Sequence, residues 1–206
     1  MHILTDLFTR YPPLAACRAD IERAADILTD TFRYGSKLLL CGNGGSAADC
    51  EHIVGELMKG FTSKRPLAPA QQKRLQEAGA DFADRLQEAL PAISLCGHPA
   101  LTSAFANDVD ATLVFAQQVW GLGREGDALL AISTSGEAEN VCRAAIAARA
   151  KDIRVVSLTG AAGGRLAELS NCAIRVPAEQ TYIVQEYHLP IYHALCRVLE
   201  ERFFEI

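Results

Sequence analysis

No apolar run in the 206 residues approaches the roughly 20 that cross a bilayer. No C-x-x-C pair is present either. The seven cysteines, Cys17, Cys41, Cys50, Cys96, Cys142, Cys172 and Cys196, are scattered singly. That pattern argues against a disulfide framework and a cysteine-type zinc site; in apolar runs a reduced cysteine serves as a small core residue. Positive charge is short as well, with 20 Lys and Arg against 25 Asp and Glu and a net charge of -5. Nucleic acid or an anionic membrane is therefore not the expected partner. An anionic small molecule remains compatible, because a pocket can be positive in an acidic protein. The opening "MHILTDLFTRYPPL" lacks the basic flank and continuous apolar core of a secretory signal, so a cytoplasmic location is expected.

Half the residues are hydrophobic, enough for a sizeable core, and the length suits one domain over 1–206. Helices are expected over about 1–34, with apolar positions at helical spacing from 14 to 33. The pattern then changes to short apolar runs closed by small polar residues. "LLLC" leads to "GNGGS", "AISLC" to "GHPALTS", "ALLAIS" to "TSGEAE", "RVVSLT" to "GAAGG", and "CAIRV" to "PAEQ". Segments rich in Ala, Leu, Glu and Arg lie between them. Strands buried on both faces and separated by helices make an α/β fold, a doubly wound parallel sheet. Ligands bind beyond the carboxyl ends of such strands. Residues 66–91 interrupt the alternation and read as a helical insertion of one or two amphipathic helices, broken near Gly79. They suit a solvated excursion, an oligomer contact or a lid. A last helix is expected from about Thr181 to Phe204, disturbed at Pro190.

Two loops share one plan of strand, Ser/Gly-rich turn and helix: "CGNGGSAAD" and "ISTSGEAEN". Hydroxyls and backbone N–H groups at a helix N-terminus suit a phosphate, and glycine lets the main chain approach closely. The first loop also reads as G-x-G-x-x-A from Gly42 to Ala47, the relaxed dinucleotide fingerprint. That reading requires an acidic residue ending a second strand roughly 20 positions on. The region is "GFTSKRPL", with no acidic residue and no strand; Arg65 alone makes a thin claim for NADP. A single phosphate held by hydroxyls is the better reading. Its donors are Ser46, Ser133, Thr134 and Ser135, with Asn43 and Gly45 shaping the first loop. A helix N-cap would account equally well for any one of these serines; two such loops together are harder to dismiss.

His52 and Glu56 are four apart and share one face of a helix that follows the first loop. Both types ligate zinc, although such pairs are also common on solvated faces.

In this order, "CGNGGSAADCEH", "ANDVD", "EGDALLAISTSGEAENV", "VVSLTGAAGG" and "QEYHLPIYH" resemble the sugar-phosphate isomerase (SIS) domain of the phosphoheptose isomerases. The resemblance runs over nearly the whole chain except 66–91. It implies a flavodoxin-like sheet and a homotetramer with active sites shared between subunits. It also implies aldose–ketose isomerisation of sedoheptulose 7-phosphate to D-glycero-D-manno-heptose 7-phosphate through an enediol. By resemblance, Glu56 and His193 are the catalytic acid/base pair. His52, Glu56, Gln185 and His193 match the ligands of a divalent metal, usually zinc. Gln185 also contacts substrate, and Asn107 and Asp108 match the pair that contacts the sugar. His98 and His188 read as structural. Gln185 and His193 are eight apart, about 12 Å along a straight helix, so a metal shared by them requires a late helix start, a bend, or ligands from different subunits.

The chain departs from the family at Ala138, where a further serine is common, and at Tyr182, where an aspartate is common. The insertion is extra. These departures bear on the identity of the sugar, a pentose or hexose phosphate being the rival substrates. A non-catalytic reading also stands, as a sugar-phosphate sensor or as a relative of the family's replication-initiator-associating member, which lacks the catalytic glutamate and histidine.

Overall fold

The computed structural model of the chain describes residues 2–204. Five strands form one fully parallel sheet: β1 (Leu38–Gly42), β2 (Ala92–Ser94), β3 (Ala128–Ile132), β4 (Arg154–Thr159) and β5 (Cys172–Arg175), in the order β2-β1-β3-β4-β5. Each coincides with one of the five apolar runs. In register, Leu38 stands beside Ala92 on one side and Ala128 on the other, and Ala128 beside Arg154. Every residue of β1 and β3 is buried, as expected for strands covered on both faces.

Side chains alternate across the sheet, so two cores form. Leu38, Leu40, Leu130, Ile132, Val156 and Leu158 point to one face, where α1 (His2–Arg10), α2 (Arg18–Arg33), α3 (Gly45–Met58) and α9 (Thr181–Phe203) cover them. Leu39, Cys41, Leu129, Ala131 and Val155 point to the other. That face is covered by α6 (Val114–Leu122), α7 (Glu139–Arg149) and α8 (Gly164–Leu169). The seven cysteines are free thiols, six of them buried.

Residues 66–91 differ from expectation in their second half. α4 (Pro69–Glu77) forms and buries no residue, and Gly79 turns the chain at φ +94. No second helix follows. Residues 80–91 return in turns and extended backbone, with Glu88 N–H donating to the Arg65 carbonyl (2.7 Å) and Leu90 N–H to that of Leu57 (3.0 Å). Burial of Ala83 and Leu90 and these long-range bonds outweigh the helix propensity of "DRLQEAL".

α9 is also more continuous than expected, running unbroken through Pro190. The proline removes one donor, which would have met the carbonyl of the exposed Glu186, where water can replace it. α9 begins before Gln185, so Gln185 and His193 stand on one helix two turns apart. α5 (Pro99–Phe105) leads into a π-helical turn, Ala106–Asp110.

Candidate active site

In the order 2-1-3-4-5 the connections reverse between β1 and β3, and the crevice outside their carboxyl ends is where a ligand fits. The two Ser/Gly loops follow these two strands. Asn43 and Asn140, at the start of α7, exchange amide hydrogen bonds of 2.8 and 2.9 Å. That pair ties the first loop to the second. Ser46 is buried in the first turn of α3, Ser133 is buried at the end of β3, Thr134 is half-buried and Ser135 is exposed. The Ser133 and Ser135 hydroxyls accept from Gly136 N–H and Glu137 N–H, both at 3.2 Å. Neither α3 nor α7 carries a side-chain N-cap, and Ala138 occupies the cap position of α7. Polarised N–H ends of two helices therefore face one crevice, the arrangement that suits an anion.

Gly136 has φ +70, and a Cβ there would stand 1.9 Å from the Gly163 carbonyl oxygen. Only glycine permits that crossing of loops. At Gly45 a Cβ would meet the Gln185 amide nitrogen at 2.5 Å, so Gln185 lies over the first loop.

α3 and α9 pack side by side and run in the same direction. Gly45 faces Gln185, His52 faces Tyr192 and His193, and the chain after α3 faces Glu200. Two turns above the loop, His52 Nε2 lies 3.2 Å from Glu56 Oε1 and 3.4 Å from His193 Nε2. Lys59 Nζ lies 3.2 Å from Glu56 Oε2. The Glu56 side chain is 13% exposed. Burial and the neighbouring His52 lower the pKa of His193, with Glu56 pulling the other way. A cavity of about 150 Å³ between α1 and α9 reaches His193 and is also lined by Asp6, Arg10, Tyr11 and Arg197.

Glu56, His52 and His193 are thus brought together within one chain. Gln185 is not: it sits by the loop with Gly45. Among the described residues no three His, Cys, Asp or Glu side chains are grouped so as to hold a metal ion. Asn107 and Asp108 lie exposed in the π-helical turn, the Asn107 amide donating to Asp108 at 2.8 Å. The same turn is pinned to α7 through Asp110 and Arg143 (3.2 Å). Tyr182 is exposed at the start of α9. His188 is fully buried with Nε2 3.4 Å from the Thr159 carbonyl, and burial lowers its pKa to about 4. His98 is half-buried with Nδ1 unpartnered.

Three residues next to this site, Tyr192, Asp49 and Glu200, escaped the sequence reading, and Arg65 has a structural role there. Tyr192 is buried with its hydroxyl 3.0 Å from His52 Nδ1 and 3.3 Å from Asp49 Oδ1. Burial raises the pKa of Asp49, opposed by the Tyr192 hydroxyl and His52. Asp49 could have been found three residues before His52, on the same helical face. Arg65 and Glu200 form a fully buried ion pair (2.8 Å). Arg65 also donates to the carbonyls of Leu57 (2.8 Å) and Glu56 (3.2 Å), holding the end of α3 against α9.

An α/β protein with hydroxyl-lined helix ends at its switch point and an imidazole–carboxylate cluster two turns beyond belongs to the phosphate-ester-binding class. Comparison with known proteins narrows this. SIS domain family models match residues 14–88 and 99–195. The phosphoheptose isomerase of Rhodospirillum rubrum is 38% identical over 196 residues, covering 95% of this chain and 91% of the relative. Among solved structures, that of a phosphoheptose isomerase from Francisella tularensis superposes with a TM-score of 0.72 at 28% identity, covering 96% of this chain and 98% of the other. The Neisseria gonorrhoeae phosphoheptose isomerase gives 0.71 at 28%, covering 95% and 98%. The chain belongs to the SIS-domain phosphoheptose isomerase family.

Proposed function

We propose that this chain is an aldose–ketose isomerase that converts sedoheptulose 7-phosphate to D-glycero-D-manno-heptose 7-phosphate. The observation that carries the reading is the meeting of His193 with His52 and Glu56, from helices 141 residues apart in sequence, in a member of this family. Isomerisation moves a proton between C1 and C2 through an enediol, which requires a base near carbon and an acid near the carbonyl oxygen. Glu56 and His193 fill these roles. One takes the proton from carbon while the other serves the oxygen, and they exchange roles in the second half. Burial and the neighbouring His52 disfavour the charged form of His193, and a neutral imidazole can accept a proton on one nitrogen and donate from the other.

Ser46, Ser133, Thr134 and Ser135, with the helix ends shaped by Asn43 and Gly45, anchor the phosphate. Gln185, lying over Gly45, adds an amide to that anchor. Asn107 and Asp108 contact sugar hydroxyls.

A divalent metal, zinc in the first instance, fits this donor set by its chemistry. His52, Glu56 and His193 are not grouped as a metal cluster as they stand, so the fit rests on their imidazole and carboxylate donor types alone. His52, Glu56 and His193 would hold it, Gln185 coming from a second copy if it takes part. Its chemistry would be to polarise the carbonyl oxygen. A homotetramer with shared sites accords with the exposure of Asn107, Asp108 and Ser135, which leaves them open to a neighbouring chain. A cytoplasmic location accords with seven free thiols.

The non-catalytic reading is not favoured: the relatives are isomerases, and both acid/base residues are present and close. The test is to incubate the protein with sedoheptulose 7-phosphate and, separately, with hexose and pentose ketose phosphates, and to follow aldose formation by NMR. Conversion of the heptose phosphate in preference is expected. Binding without conversion of any of them would overturn the reading.

A further inference from the structure

The Tyr192 hydroxyl has a single hydrogen and two neighbours, Asp49 Oδ1 at 3.3 Å and His52 Nδ1 at 3.0 Å. Which neighbour receives it decides where His52 carries its own hydrogen. If the hydroxyl donated to His52, Nδ1 would be the bare nitrogen. Asp49 would then lose its donor, and its Oδ2 is already buried with no hydrogen-bond partner. A sequestered carboxylate with neither oxygen satisfied is costly. If the hydroxyl donates to Asp49, its oxygen is free to accept from His52 Nδ1–H and Asp49 keeps its one donor, while Glu56, which then accepts nothing from His52, still has Lys59 Nζ at 3.2 Å. A carboxylate is also the stronger acceptor. The second arrangement therefore prevails.

We infer that Tyr192 and Asp49 are positioning residues: they hold the hydrogen of neutral His52 on Nδ1 and present its Nε2 lone pair to the point where Glu56 and His193 converge. The lone pair then faces Glu56 Oε1 at 3.2 Å and His193 Nε2 at 3.4 Å. With no hydrogen on Nε2, that point is left open to a proton or a cation. Outer partners of this kind orient an imidazole and raise its basicity. The elements are set for it by the helices: Asp49 and His52 share a face of α3, and Tyr192 precedes His193 on α9. With a relative exposure of 1%, the Tyr192 ring has little freedom to turn away.

The inference rests on the place of His52 in the site proposed above, but its test requires neither metal nor substrate. The whole chain, stripped of metal with a chelator and labelled with 15N-histidine, is observed by long-range proton–nitrogen correlation above the ordinary imidazole pKa, with His52→Gln giving the assignment. The expected result is a protonated Nδ1 and a bare Nε2 at His52. Tyr192→Phe, which removes one oxygen, should move the hydrogen to Nε2, where Glu56 accepts it. Asp49→Leu should do the same although the hydroxyl remains, because Tyr192 then donates to His52. A wild-type His52 with its hydrogen on Nε2 overturns the inference, as does either variant that keeps it on Nδ1. The isomerase reading fails separately, on absence of substrate conversion, and that failure would leave the nitrogen pattern unchanged.

Discussion

Replacing Glu200 by glutamine should cost the fold about 3–5 kcal/mol, the penalty of stranding one partner of a buried ion pair. Both side chains of the Arg65–Glu200 pair have no exposure. The carboxylate accepts from Phe61 N–H and Thr62 N–H, each at 2.8 Å, from the Thr62 hydroxyl and from Arg65 Nε at 2.8 Å. An amide offers one acceptor oxygen, and its NH2 would face groups that are themselves donors. The Arg65 guanidinium, stacked 4.6 Å over the Phe204 ring, would stay charged without its counter-ion. At about 2–4 °C per kcal/mol for a chain of this size, the melting temperature should fall by about 6–20 °C.

The same pair has a pH signature. Burial alone would raise the Glu200 pKa, but the hydrogen bonds from Thr62, Phe61 and Arg65 outweigh it and bring it from 4.5 down to about 2. A depressed carboxylate contributes its stability fully above the unfolded value and loses it as the pH falls from about 4.5 to about 2, a change of about 3 kcal/mol. Denaturant melts of wild type and Glu200→Gln across that range should show the acid limb shrinking in the variant. A loss below about 1 kcal/mol at neutral pH, with unchanged acid behaviour, would refute the reasoning, since it would mean that water reaches the carboxylate.

Other expectations follow from the same geometry. Burial brings the His188 pKa from 6.5 to about 4; its stability is fully present above about 6.5 and lost as the pH falls toward 4, by about 3 kcal/mol. Urea titrations from pH 7 to 4 should show that slope, and His188→Phe should flatten it. Gly136→Ala adds a Cβ 1.9 Å from a backbone oxygen at φ +70; beyond the roughly 1–2 kcal/mol of the left-handed backbone, the loops must part. Poor soluble yield or a large drop in thermal midpoint is expected, against little change for Gly55→Ala, where a Cβ meets nothing within 4 Å. Leu129→Ala, fully buried in the central strand, should cost about 2–5 kcal/mol in chemical denaturation.

The sheet was legible because strands covered on both faces are continuous apolar runs, and "LLLC" or "ALLAIS" closed by glycine and serine has few other readings. Two Ser/Gly loops on one plan could be read as a phosphate site for a similar reason, since backbone chemistry there is local. The second half of the 66–91 segment was not legible. "DRLQEAL" has helical composition, and its turn and extended backbone come from burial of Leu90 and long-range bonds to Arg65 and Leu57. The supports of the site were hidden for the same cause. Tyr192 bonds to Asp49 across 143 positions and Arg65 to Glu200 across 135, and no spacing rule reaches that far. Gln185 and His193 were paired by the family resemblance against their helical spacing, and their separation along α9 gives one to the loop and the other to His52.

The central claim is that Glu56 and His193 pass one hydrogen between neighbouring carbons of a phosphate-anchored sugar. Incubation with sedoheptulose 7-phosphate in heavy water tests it most directly, with deuterium read on the recovered sugar and phosphate-ester binding measured in parallel. Wild type should incorporate deuterium at the reacting carbons, and Glu56→Gln should incorporate none while still binding the ester. Incorporation by Glu56→Gln at the wild-type rate would contradict the account.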